Sequence, residues 1–273
     1  NGILLNRIPC IAPAAVALVV SALGAPARGQ TPLPFAPGEK ITYRVDVGGV
    51  GAIGHATMSV EGPVDVSGTS TYLLRSQTRA GMGPFKGFQL MESWLDPLTV
   101  RSLRFHEQER RFFRSHSITV KIHPDDRLWT GDDGSSGESI TNASLDELSF
   151  IYYLRTLPQG KDTLYQFNNH FDATRDPVTV RESSGGVVQT ASRAYVTTLM
   201  EMRVHDPRRY RGEGIIRVFL SDDSCRLPVR IESSVPGMGS FVLMMDSYVA
   251  PGFSCSVGTV TNVTGARWRG RRS

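Results

Sequence analysis

The chain has 273 residues, 40% of them hydrophobic and 21% charged, with 27 Gly and 16 Pro. That composition excludes a disordered chain, a collagen and a coiled coil, and the length fits one large β domain. The formal charge of +4 comes from 30 basic and 26 acidic residues, and its distribution matters more than its size.

The first thirty residues hold Arg7 and Arg28 and no acid. An uncharged run from Ile8 to Ala25 carries Pro9 and Pro13, so its apolar centre, Ala14–Leu23, is too short for a membrane span. Ala25-Pro26-Ala27 follows as a small-x-small cleavage pattern. Residues 1–30 therefore read as a secretory signal peptide, and the expectation is a periplasmic or otherwise exported protein after cleavage. Residues 31–255 read as a single β-rich domain. Residues 256–273 lack periodicity and read as a basic, disordered tail. Four Arg lie in its last seven residues. With signal and tail set aside the body is slightly acidic, so the basic balance does not argue for nucleic acid. The Arg tail suits an anionic membrane surface.

A Pro-rich lead-in, Thr31–Gly38, cannot be helical. Ile41, Tyr43, Val45 and Val47 then alternate with polar residues, as do Ala56, Met58 and Val60, which marks strands with one apolar face. Further strands read at about 70–78, 87–94, 98–107 and 112–122, and after the middle of the chain at 162–169, 177–182, 186–190, 194–204, 213–220, 226–233 and 239–249. Asp125 to Glu138 reads as a polar loop. Ser144-Leu-Asp-Glu147 has the form of a capping box, and Leu145, Leu148 and Tyr152 follow at helical spacing up to Pro158. The expected fold is mainly β: a curled antiparallel sheet or open barrel of about 10–12 strands, with one helix at about 145–157 packed on its concave face.

Motifs for chemistry are weak. Gly49-Val-Gly51-Ala-Ile-Gly54 leads into a strand rather than a helix, so it reads as a hairpin turn and not a dinucleotide site. There is no G-x-S-x-G elbow and no H-E-x-x-H. The acids of the 125–138 loop do not follow the EF-hand spacing and read as solvated. No catalytic residue, cofactor or metal is assigned, and no nucleic-acid partner. Cys225 and Cys255 remain after signal removal, an even count that suggests a disulfide in an exported protein. Phe88, Leu90 and Trp94 share one strand face, and Phe241, Leu243 and Met245 another, as core packing or as walls of an apolar cavity. Ser221-Asp-Asp-Ser-Cys225-Arg226 reads as a tight turn with an acidic tip.

Several segments carry a resemblance: Phe35-x-x-Gly38-Glu39-x-Ile41-x-Tyr43, Gly54-x-Ala56, Asp146-x-x-Ser149-x-x-Tyr152-Tyr153-Leu154-Arg155, and Ser221-Asp-Asp223-x-x-Arg226-Leu-Pro228-Val229. Together they resemble the bacterial envelope family catalogued as domain of unknown function 3108, over about residues 34–250. The resemblance implies an exported β-rich protein and no assigned activity. The architecture is similar to outer-membrane lipoprotein carriers, in which a curled sheet holds an acyl chain under a helix. The expected function is non-catalytic binding of a lipid or acyl chain, with a lipid or lipoprotein as partner. The alternatives are an envelope interaction module and, third, a hydrolase acting on an envelope polymer. Tyr43, Trp94 and Tyr152 are the candidate wall residues. Arg155, Asp222, Asp223 and Arg226 are the further candidate ligand or partner positions.

Overall fold

The computed structural model describes residues 32–47, 51–82, 85–111, 114–160, 162–207, 211–235 and 239–252. Residues 1–30, expected to be a signal segment, the whole of the expected tail 256–273 and Cys255 lie outside the described residues. The described residues from Leu33 to Gly252 form one folded unit.

The first half is a meander of β1 (Lys40–Val47), β2 (Ala52–Val66), β3 (Thr69–Met82), β4 (Phe85–Asp96), β5 (Arg101–Arg111), β6 (Arg114–His123), β7 (Leu128–Gly131) and β8 (Ser136–Glu138). A single α-helix, α1 (Glu147–Leu154), follows. The second half is β9 (Thr163–Phe167), β10 (Val178–Gln189), β11 (Ala194–His205), β12 (Glu213–Ser221), β13 (Pro228–Val235) and β14 (Gly239–Val249). All fourteen strands among the described residues lie in one antiparallel sheet, in the order β8-β7-β6-β5-β4-β3-β2-β1-β14-β13-β12-β11-β10-β9. Sequence neighbours pair as hairpins, and the one long-range pairing joins β1 to β14. The chain leaves one edge at β8, passes through α1 and enters the other edge at β9, so the helix connects the two edges of an open sheet. No helix among the described residues is long and apolar enough to cross a membrane.

The strand count exceeds the expected ten to twelve because the polar 125–138 segment contains β7 and β8. Their composition hides them: Trp129 alone is fully buried there, packed edge-on against Phe171 at 5.5 Å. Conversely, 177–182 and 186–190 form one strand, β10, with a register shift between Ser184 and Gly186. Gly186 has φ +67° there, and a Cβ on Gly185 would lie 2.4 Å from the Thr197 hydroxyl. Glycines let the strand bulge and continue.

The helix begins later than its sequence pattern suggests. Leu145 is held as strand: it donates to Asn169 O at 2.7 Å and accepts from Phe171 N–H at 2.9 Å. The N-cap is Asp146, not Ser144, and the capping box is Asp146 with Ser149. Arg155 is the C-cap, so the helix spans 147–154 rather than 145–157. Leu148, Phe150, Tyr152 and Leu154 are buried, as a helix apolar nearly all round requires. They join the concave-face residues Ile41, Tyr43, Met58, Val60 and Leu74 in one core.

Candidate functional site

Arg155 leaves the end of α1 and enters the core. Its guanidinium donates to both Glu39 carboxylate oxygens, Nη1 to Oε1 at 2.6 Å and Nη2 to Oε2 at 2.8 Å. Nη2 also donates to Pro34 O at 2.8 Å and Cys225 O at 3.0 Å. The same group stacks over Phe35 and Tyr152 at 5.2 and 5.3 Å. Both charged side chains are fully buried. Burial works against the Arg155 charge, but the Glu39 carboxylate outweighs it and holds the guanidinium above its ordinary pKa. One side chain thus ties together the lead-in, β1, α1 and the turn before β13.

Tyr43 and Tyr152 lie beside that pair. Tyr43 donates to Pro228 O at 2.9 Å, and Tyr152 packs edge-on against Phe35 at 4.9 Å. Burial raises the pKa of both phenols, so both stay protonated. The Ser221–Arg226 turn closes the group. Asp223 Oδ1 accepts from Cys225 N–H at 2.9 Å, Arg226 N–H at 3.1 Å and the Ser221 hydroxyl at 2.9 Å. This holds Arg226 at φ +47°, and its guanidinium donates to Leu154 O, at the end of α1, at 3.4 Å. Burial pushes the Arg226 guanidinium below its usual pKa, with Glu182 and Asp222 opposing. Cys225 is buried and disulfide-bonded.

Of the candidate residues, the fold therefore gathers Tyr43, Tyr152, Arg155, Asp223 and Arg226 into one buried cluster under and behind the helix. Asp222 is exposed at the turn. Trp94 does not join them. The β3–β4 register places it opposite Leu73 on the other face of the sheet, where Arg104 stacks over it at 5.3 Å. Among the described residues, Leu148, Tyr152 and Leu154 of α1 pack with Ile41, Tyr43 and Met58 as one core.

Sequence reading missed three buried polar residues. Glu39 stands in the quoted opening motif but has no partner visible in sequence. Asp146 accepts from Leu148 N–H and Ser149 N–H at 2.9 Å and from the Ser93 hydroxyl at 2.5 Å. Burial still raises its pKa to about 6. His170 accepts from Asp172 N–H through Nδ1 at 3.0 Å, which leaves its proton on Nε2. Burial and Arg175 lower its pKa to about 4. Asp146 stands in the quoted helix motif without its role as cap being visible there, and no motif marks His170.

Open space lies along the concave face beyond the helix. A trough of about 210 Å³ is lined by the apolar Val45, Val47, Ala80, Phe88 and Phe241 and by the polar Thr78, Gln89, Glu109, Arg111 and Ser240. A second cleft of about 240 Å³ lies beside β5 and β6, with Phe105, Trp129 and Phe171 among its walls. Glu107 lines the cleft and Glu109 the trough, two residues apart on the same face of β5. Gln89 donates to Glu107 between them at 3.2 Å. Of the cleft's carboxylates, Glu147 and Asp206 are both engaged by Arg175. The 125–138 acids organise their loop: Asp132 accepts from Thr119 N–H and Asp133 from Ser135 N–H, each at 2.9 Å.

These features define a class: an open, curled antiparallel sheet with its interior plugged by one helix and an apolar trough at the unplugged end. The family described as "Protein of unknown function (DUF3108)" matches residues 42–246, and the chain belongs to it. No curated protein matches the chain. Among solved structures it is similar to the "Beta-barrel-like Protein of Domain of Unknown Function DUF1849 from Brucella abortus". The TM-score is 0.52 at 12% identity, covering 80% of this chain and 99% of that one. At that identity the likeness shows the fold alone.

Proposed function

We propose that the protein is an exported, non-catalytic envelope protein that holds part of a lipid or acyl chain in the concave trough. The carrying observation is the trough itself: Val45, Val47, Ala80, Phe88 and Phe241 supply an apolar part of its wall, and Thr78, Gln89, Glu109, Arg111 and Ser240 supply polar groups beside it. The reading places the ligand at the open end, not beneath the helix, where Tyr43 and Tyr152 are already packed. A chain in the trough would keep its polar end near Gln89, Glu109 and Arg111. The signal-like segment supports export to the periplasm, and Cys225 with Cys255 fits an oxidising compartment.

The test is native mass spectrometry of the protein purified from its envelope, followed by titration with a fluorescent fatty acid. Co-purified lipid and saturable binding are expected. Phe241→Glu, at a half-buried position, should weaken binding by about tenfold or more, since it sets a charge against an apolar chain. No co-purified lipid and no saturable binding by the parent protein would sink the reading. Export is checked separately by fractionation and sequencing of the mature N-terminus.

A further inference from the structure

The convex face of the sheet carries a second pattern, of which only Phe88 also borders the trough. The registers of β3, β4, β5 and β6 align outward-facing residues in rows across the strands. One row is Arg79–Phe88–Arg110, and another, nearer the far end of the strands, is Leu73–Trp94–Arg104–Lys121. Leu90 lies between them on the same face of β4. Arg79 and Arg110 flank the Phe88 ring from neighbouring strands, at 5.6 and 5.9 Å from its centroid, and Arg104 covers Trp94. Arg79, Lys86, Phe88 and Arg110 border an open recess of about 580 Å³ at one end of the face.

Most of the cations on this face lack a bonded acid, although Asp125 and Asp126 border a recess beside Arg104 and Lys121. Arg79, Lys86, Arg104, Arg110 and Lys121 form no salt bridge among the described residues, although Arg75 on the same face pairs with Glu61 and Glu92 and the second half of the sheet pairs Arg with Glu repeatedly. Between the two rows, Glu92 faces Arg75 and His106 across the strands and accepts from Arg75 at 2.8 Å. The body of the chain is near neutral, so this face concentrates positive charge that the rest of the molecule balances.

We propose that the convex face of β3–β6 docks on an anionic phospholipid surface. Phe88, Leu90 and Trp94 form a half-buried apolar stripe with arginines beside it, an arrangement that sits at the headgroup level while the cations meet phosphates. A second copy of the chain does not suit it, because two such faces repel. Single-stranded nucleic acid suits it less: base stacking needs free aromatic faces, and the Phe88 and Trp94 rings are already covered by guanidinium groups. The proposal stands whether or not the trough holds a lipid.

The test is flotation of the full protein with vesicles of phosphatidylcholine containing phosphatidylglycerol, against vesicles of phosphatidylcholine alone. All measurements use a background in which Arg267, Arg269, Arg271 and Arg272 are Gln, which removes the tail's contribution. Binding to the anionic vesicles only, falling as salt rises, is expected. Arg79→Gln with Arg110→Gln should lower partitioning roughly thirtyfold, about fivefold for each cation removed. The same pair should leave the circular dichroism and the thermal midpoint unchanged, because both side chains are exposed. Arg104→Gln with Lys121→Gln should give a similar loss from the other end of the face. The proposal is overturned if the tail-neutral protein no longer binds, if it binds neutral vesicles equally, or if both double variants bind like the parent. It is equally overturned if the patch variants lose binding to single-stranded DNA while vesicle binding never occurs.

Discussion

Arg155 and Glu39, 116 positions apart in sequence, form a two-pronged ion pair with both side chains withdrawn from solvent. Breaking such a pair from one side leaves the other charge buried and alone. Arg155→Leu or Glu39→Gln is therefore expected to cost about 3–5 kcal/mol in urea unfolding. Replacing both by apolar residues of similar volume should recover most of that loss, since desolvation then falls on neither. A double variant as unstable as the single ones would show that the hydrogen bonds to Pro34 and Cys225, rather than the charge pair, dominate.

Asp146 gives a pH dependence with a definite sign. Its folded pKa of about 6 exceeds the ordinary aspartate value of 3.8, because burial disfavours the carboxylate. The folded state thus binds the proton more tightly. The stabilisation is complete below about pH 4 and is lost as pH rises through about 6, by roughly 3 kcal/mol. Asp146→Asn keeps an amide oxygen for the Leu148 and Ser149 N–H groups and cannot titrate. The difference between parent and variant should change across this window and be constant above it. A constant offset from pH 4 to 7 would contradict the assignment.

His170 has the opposite sign. Its folded pKa of about 4 lies below the ordinary histidine value of 6.5, so stability is present above about 6.5 and lost as pH falls toward 4. His170→Gln removes that titration. Relative to the parent, the variant should gain roughly 3 kcal/mol between pH 6.5 and 4. Denaturant curves at half-unit intervals would detect it, and equal pH slopes for the two proteins would refute it.

The two aspartates of the Ser221–Arg226 turn should behave differently. Asp223 accepts from two backbone N–H groups and one hydroxyl, so Asp223→Ala is expected to cost about 1–3 kcal/mol. The Asp222 side chain is exposed, and Asp222→Ala should change stability by less than about 0.5 kcal/mol. Thermal unfolding of both proteins decides it. Equal losses would mean that the turn is held by something other than the Asp223 carboxylate.

The sequence by itself determined the class of fold. Period-2 alternation at Ile41–Val47 and Ala56–Val60, with glycine-rich turns between strands, is a local property of pleated backbone and needs no partner to be read. The helix was legible for the same reason, at a spacing of three and four residues. Its first turn was not, because a tertiary bridge from Leu145 to His170 holds the backbone extended where the sequence offers a cap. The short strands β7 and β8 escaped notice because one anchored residue, Trp129, leaves no period to detect.

What only the tertiary structure decided is which face each strand turns inward and which distant residues meet. Tyr43 and Trp94 look alike in sequence, each an aromatic in an alternating strand. Register puts the first in the core and the second outside under Arg104. Glu39 and Arg155 are ordinary charges until the curl of the sheet brings the lead-in over the end of the helix. The slightly acidic body expected from composition still carries one face on which most cations lack a bonded acid, because summed charge does not record position, and only the folded sheet assigns each charge to a side.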